Sequence, residues 1–209
     1  ITTEIRKTSD YDGVSVGGNF DVELVKGKEG KITLEGEENL LKYIEVEVKR
    51  GILKIQVEKG VNIRTTRKLV VTVPFTDIEK VSLSGSGDLR SKETIKADKI
   101  SFSIAGSGNM NVTVDANEVK TNIAGSGNIK VDGKTMDLSC NIAGSGDINA
   151  YGLKATSTSA KIAGSGNIRT SVSDKISAKV VGSGNIYYKG NPDKIESKSL
   201  RAGSVISRN

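Results

Sequence analysis

Six side chains recur at one kind of place in this chain: Asp88, Asn109, Asn128, Asp147, Asn167 and Asn185. Each follows a Gly-Ser-Gly triplet, which begins at Gly85, Gly106, Gly125, Gly144, Gly164 and Gly182, so copies stand 18–21 residues apart. Glycine next to Asp or Asn raises the question of calcium. Calcium-binding β-rolls repeat every nine residues with an Asp in each, whereas here only Asp88 and Asp147 are acidic, three copies apart. Copies stacked as coils about 4.8 Å apart would hold those two carboxylates roughly 14 Å from each other. Calcium ligands sit about 2.3–2.6 Å from the ion, so the pair cannot share one, and no metal or cofactor is expected. Asn and Asp do, however, tolerate left-handed backbone and hydrogen-bond to it. The six residues therefore read as a polar ladder along a stack of corners.

A second row stands two residues further on: Arg90, Asn111, Lys130, Asn149, Arg169 and Tyr187. Stacking would place Arg90, Lys130 and Arg169 on alternate coils about 9–10 Å apart. That spacing suits the repeating carboxylates or sulfates of an extended polymer, and Tyr187 and Tyr151 could stack on sugars. The plainer explanation is that outward positions of any stack must be polar.

Catalysis has less to work with. The chain has no histidine, which removes Ser-His-Asp triads, Cys-His dyads and His-based zinc sites. Gly-Ser-Gly lacks the third glycine and following helix of a dinucleotide fingerprint, and there is no P-loop. Glycosidases need paired carboxylates about 5–9.5 Å apart, and the second row is basic and polar instead. A polysaccharide lyase using Lys or Arg as base is the enzymatic alternative.

The triplets must be positioned by something regular. Before them, apolar or small residues alternate, as in Ile100-Phe102-Ile104, Val119-Thr121-Ile123, Leu138-Cys140-Ile142 and Ile176-Ala178-Val180; after them come Met110-Val112-Val114 and Ile129-Val131. A period of two means strands with one face in and one out. A fixed repeat of about 20 residues means a solenoid. Each copy is then strand, glycine corner, strand and return. The predicted fold is all-β: a right-handed parallel β-helix of about six to seven coils, with the hand given by the usual crossover preference. A seventh, degenerate copy runs Leu200-Arg201-Ala202-Gly203-Ser204-Val205-Ile206, with Ala202 expected in the first glycine's place.

The repeated Ala-Gly-Ser-Gly-Asn-Ile coils, the leading Gly18-Asn19-Phe20-Asp21-Val22-Glu23-Leu24 and the segment Leu69-Val70-Val71-Thr72-Val73-Pro74 resemble the head GIN domain of putative auto-transporter adhesins. The resemblance runs from about Tyr11 to Ile206. It implies a β-helical, exported, surface-associated bacterial protein, and it brings no catalytic residues. The expected function is a non-catalytic adhesion or binding module that presents a rigid surface to an acidic glycan or surface protein. A purely structural envelope component is the other alternative. A homo-oligomer is compatible with such a surface. The expected location is the periplasm, the outer membrane surface or the medium.

Composition agrees with a thin core. Of 209 residues, 35% are hydrophobic and 4% aromatic, with 24 glycines for the corners. The net charge of +6 would favour anionic surfaces, but Lys and Arg are scattered and no nucleic-acid-binding motif occurs. No apolar run is long enough to span a membrane. The chain starts at Ile1 with no visible leader, as a mature or trimmed chain would. The lone cysteine, Cys140, alternates in step with Leu138 and Ile142 and should point inward as a small hydrophobe.

Residues 1–75 alternate without the full repeat and read as an antiparallel or mixed β section that caps the coils of 76–209, with Pro74 near the boundary and one shared core. Within it, Gly17-Gly18-Asn19 resembles a corner. Residues 37–43 hold one helical turn, and Ile44–Val48 with Leu53–Val57 form a hairpin turned at Arg50-Gly51.

Overall fold

The computed structural model describes residues 1–63 and 68–209. The N-terminal elements are β1 (Thr2–Lys7), β2 (Gly13–Gly17), β3 (Phe20–Lys26), β4 (Lys31–Gly36), α1 (Glu38–Leu41), β5 (Ile44–Lys49), β6 (Ile52–Val57) and β7 (Leu69–Phe75). They are followed by β8 (Lys80–Gly85), β9 (Asp88–Ser91), β10 (Ile95–Gly106), β11 (Asn109–Gly125), β12 (Asn128–Gly144) and β13 (Asp147–Gly164). The chain ends in β14 (Asn167–Gly182), β15 (Asn185–Lys189), β16 (Lys194–Leu200) and β17 (Ser204–Ser207). From β8 onward the chain winds as a parallel β-solenoid of about seven turns.

Register follows the triplets. Gly85, Gly106, Gly125, Gly144, Gly164 and Gly182 pair in one column. The alternation then puts every second residue inside. Ile100, Phe102, Ile104, Val119, Ile123, Leu138, Cys140 and Ile142 are all buried. The four buried threonines, Thr121, Thr135, Thr158 and Thr170, are satisfied, as buried polar groups usually are, whereas the Thr8 hydroxyl is buried without a partner among the described residues. Thr135 donates to the Asn117 carbonyl at 3.1 Å, and the Thr158 and Thr170 hydroxyls meet at 3.2 Å.

Glycine is required at the corners for two separate reasons. The first glycine of each triplet has positive φ, from 116° to 142°, a region that side chains strongly disfavour. A Cβ there would also press into the glycine carbonyl of the coil below; at Gly85 it would lie 2.6 Å from the Gly18 oxygen. That carbonyl is in use. The Gly106 oxygen accepts the Ser126 and Gly127 amides at 2.9 and 3.0 Å. Each corner therefore hangs on the one beneath it through bonds that only close backbone approach allows.

The last copy differs by one residue from the sequence expectation. Leu200 pairs with Val181 and Ser204 with Asn185. Arg201, not Ala202, thus stands at the first glycine's position, with φ of 76° against 134° at Gly182. Gly203 keeps the second glycine's place and donates its amide to the Gly182 carbonyl at 2.9 Å. Counting from the first glycine missed this because the retained glycine is the second one.

The N-terminal section is woven into the stack. β2 pairs in parallel with both β6 and β8, and β3 with both β7 and β9. Gly18, at φ 135°, supplies the corner between β2 and β3. The first layer in the chain is therefore the second in space, lying between β6/β7 and β8/β9. Antiparallel partners lie outside that end: β5 on β6, and β4 on β7 with β1 beyond it. Arg50 and Gly51, both at positive φ, make the tight β5–β6 turn, as such two-residue hairpins require. A single core cluster runs from Tyr11 to Ile186. The Tyr11 hydroxyl donates to the Pro74 carbonyl, and burial pushes its pKa up.

Candidate functional site

The corner ladder forms as one column of hydrogen bonds. Asn109 Nδ2 donates to Asp88 Oδ1 at 2.8 Å, and Asn128 Nδ2 to Asn109 Oδ1 at 3.0 Å. Asn128 Oδ1 accepts the Asp147 amide at 3.3 Å. Asp147 Oδ1 accepts the Asn167 amide and Nδ2 at 2.7 and 3.0 Å, and Asn167 Oδ1 accepts the Asn185 amide at 3.3 Å. Each side chain thus ties its own corner to the next. The two acids serve the ladder and neighbouring cations: Asp88 also meets Lys68 at 3.4 Å, and Asp147 meets Arg169 at 3.4 Å.

The basic row also falls in one column, running Glu23, Arg90, Asn111, Lys130, Asn149, Arg169, Tyr187. Its cations are already engaged. Arg90 pairs with Glu23, Lys130 with Asp132 at 3.4 Å and Arg169 with Asp147. The tyrosines have cations against their rings: Arg208 lies 4.9 Å and Arg169 5.6 Å from the Tyr187 centroid, and Lys189 lies 4.6 Å from that of Tyr151. Arg90, Lys130, Arg169, Tyr151 and Tyr187 are thus occupied with neighbours inside the chain. Exposed pairs of this kind each contribute only about 0–1 kcal/mol, so a competing anion could displace them, but none is waiting unpaired.

Glu23 has the most shielded carboxylate of this row, its side chain 13% exposed. Hydrogen bonds from Lys92, at 2.7 Å, and from Arg90 hold its pKa below the usual carboxylate value. A depressed folded-state pKa means stability that is complete above about pH 4.5 and is lost as pH falls through the folded value. Glu23→Gln is expected to flatten the acid side of the stability–pH curve while changing little at pH 7. Urea midpoints measured from pH 3 to pH 7 would check this, and parallel curves for the two proteins would refute it.

Cys140 is fully buried, and desolvation pushes its thiol pKa up to about 12. The thiolate is the reactive form. Modification by a chromogenic disulfide reagent should therefore be negligible in the native protein and complete in denaturant; rapid labelling of the native chain would contradict the burial.

The face before the corner carries a feature that the sequence reading passed over. Outward residues one before the first glycine pair in a column of Ser84, Ala105, Ala124, Ala143, Ala163, Val181 and Leu200. From Ser84 to Val181 they floor a shallow groove of about 730 Å³, which Leu200 does not line. The neighbouring outward column is Ser82, Ser103, Asn122, Asn141, Lys161, Lys179 and Lys198. Its three lysines are exposed, and no carboxylate lies within ion-pair distance of any of them among the described residues. In sequence they are 18–19 residues apart and look scattered. Aligning the copies on the first glycine and reading three residues upstream would have found them.

A stack of recurring glycine corners, a side-chain ladder bonded to itself and long continuous outer faces define a β-solenoid. The chain belongs to the family described as putative auto-transporter adhesin, head GIN domain, whose model matches residues 10–192. Among solved structures, a putative adhesin from Bacteroides fragilis NCTC 9343 superposes with a TM-score of 0.93 at 22% identity, covering 99% of this chain and 96% of the other. A putative lipid binding protein from Parabacteroides distasonis ATCC 8503 is 28% identical with a TM-score of 0.82, covering 100% and 96%. A putative adhesin from the same organism is 26% identical with a TM-score of 0.77, covering 99% and 96%. No curated protein matches the chain. Among the described residues, no helix is long and apolar enough to cross a membrane.

Proposed function

We propose that this chain is a non-catalytic, exported binding module that takes an extended anionic ligand along the face before the glycine corners. The family supports a binding role at the cell surface. The observation that carries the choice of face is the contrast between two columns. Arg90, Lys130 and Arg169 are matched by acids, whereas Lys161, Lys179 and Lys198 stand in consecutive coils with no acidic partner among the described residues. Like charges stacked about 4.8 Å apart repel, and an anion laid across them relieves that repulsion. An acidic glycan, or an acidic segment of a surface protein, has the required chemistry. Within residues 1–75, the antiparallel β5, β4 and β1 act in this reading as the cap that ends the stack.

The test is a binding screen of the chain against acidic and neutral glycans at low and high salt, repeated with Lys161→Glu, Lys179→Glu and Lys198→Glu combined. Binding of an acidic glycan that weakens with salt and disappears in the triple variant is the expected result. Retained binding in the triple variant, or loss instead on reversing Arg90, Lys130 and Arg169, would move the site to the other face.

A further inference from the structure

We infer that the groove before the corners binds the carboxylate of a long-chain fatty acid, with the acyl chain along the alanine column and the head group at Lys161 and Lys179, which line the groove, beside Lys198 one coil past its lining. This deepens the binding-face reading above and rests on it.

A glycan would explain the lysines but not the floor. Polymers of acidic sugars are hydroxylated along their whole length; the wall column offers them Ser82, Ser103, Asn122 and Asn141, but the floor beyond Ser84 carries no hydrogen-bonding side chain. Here the column changes from Ser84 through four alanines to Val181 and Leu200, becoming more apolar toward the end where the lysines stand. Val181 and Leu200 are 38% and 47% exposed. The groove floor from Ser84 to Val181 crosses five coil spacings, roughly 24 Å. That is long enough for a long-chain fatty acid lying extended. The floor is straight and uniform because parallel register repeats the same position in every coil, so a flexible chain meets the same contact at each step.

Charge chooses among occupants. A second copy of this chain would bring its own lysines to the face, and the outward columns here offer it few acids: only Glu196 stands among them, and it is paired with Lys175. A neutral apolar segment would leave the three ammonium groups unmatched. An anionic head joined to one apolar tail offsets part of the lysine charge while the tail covers the alanine floor, which neither of the other occupants does.

The experiment is calorimetric titration of the folded chain with sodium laurate below its micellar concentration, alongside decanoate and dodecyltrimethylammonium. Laurate should bind saturably at one per chain. Decanoate, two methylenes shorter, should bind about 15-fold more weakly, since each buried methylene changes affinity by roughly fourfold. The cationic amphiphile should not bind. The combined Lys161→Glu, Lys179→Glu, Lys198→Glu variant, and independently Ala143→Asp in the floor, should each lower laurate affinity at least tenfold with an unchanged circular dichroism spectrum.

Equal binding of the cationic amphiphile, no dependence on chain length, or undiminished binding in both variants would overturn the inference. So would a dimer in sedimentation equilibrium that Ala143→Asp dissociates, because the face would then belong to a second copy. Absence of laurate binding, with alginate bound by the wild type and lost in the triple variant, would remove the fatty acid and leave the binding face standing. Lysine-independent behaviour toward both probes would remove the two together.

Discussion

Gly125→Ala is expected to lower the stability of the chain by about 3–5 kcal/mol, a large part of the 5–15 kcal/mol typical of a folded domain. Several effects add. Gly125 sits at φ 128°, and an L-residue forced to positive φ costs about 1–2 kcal/mol. Its new methyl would press into the Gly106 carbonyl. That oxygen would have to move away from the Ser126 and Gly127 amides it accepts at 2.9 and 3.0 Å, and each lost bond costs about 1 kcal/mol. Gly60→Ala separates strain from approach. Gly60 also has positive φ, at 85°, but an added methyl there meets nothing within 4 Å, so its effect should stay at about 1–2 kcal/mol. Urea denaturation of the two variants by circular dichroism would decide. Equal losses would mean that the close stacking of corner carbonyls contributes little.

Phe102→Ala should cost about 3–5 kcal/mol by leaving a cavity in the core. Phe102 has no solvent exposure, and it stacks between Val81 and Thr121 in the coils on either side. A thin solenoid has little surrounding material to collapse into the space. Phe102→Leu keeps most of the volume and should cost under about 1.5 kcal/mol. Val181→Ala, on an outward column, should stay within about 0.5 kcal/mol. Thermal and urea midpoints for the three would check the order; a Phe102→Ala loss no larger than that at Val181 would contradict the packing described here.

The coil section was almost fully legible because one backbone solution repeats. Six glycine triplets established period and register, and strict alternation around them named the inside residues without reference to tertiary structure. The helical turn and the β5–β6 hairpin were legible for local reasons, in the turn chemistry of Arg50-Gly51. The layer order was not. Gly17-Gly18-Asn19 reads as a corner, yet nothing in residues 13–26 says that their two neighbours in the stack come from 52–75 and from 80–91, since strand pairing is a long-range choice among similar edges. The unpaired lysine column was hidden for a different reason. Arg90, Lys130 and Arg169 attracted notice as cations, but whether a cation is free depends on acids elsewhere: Glu23 in β3 and Asp132 and Asp147 two residues off the column. Lys161, Lys179 and Lys198 lack such neighbours among the described residues.

The interleaved start of the stack has a consequence for the order in which the molecule can assemble. The layer made by β2 and β3 has both of its flanking layers later in the chain, so a chain emerging from its N-terminus cannot complete that layer until about Ser91 is available. These are contacts between distant segments, and such contacts form slowly. Every later coil is different. Each finds a finished edge about 19 residues behind it and copies its register, as nearest-neighbour stacks do. The chain therefore has a slow seed followed by a fast zipper. Coils could be added or removed at the Arg201 end over evolutionary time with little effect on that seed, whereas the N-terminal weave admits no such change of length.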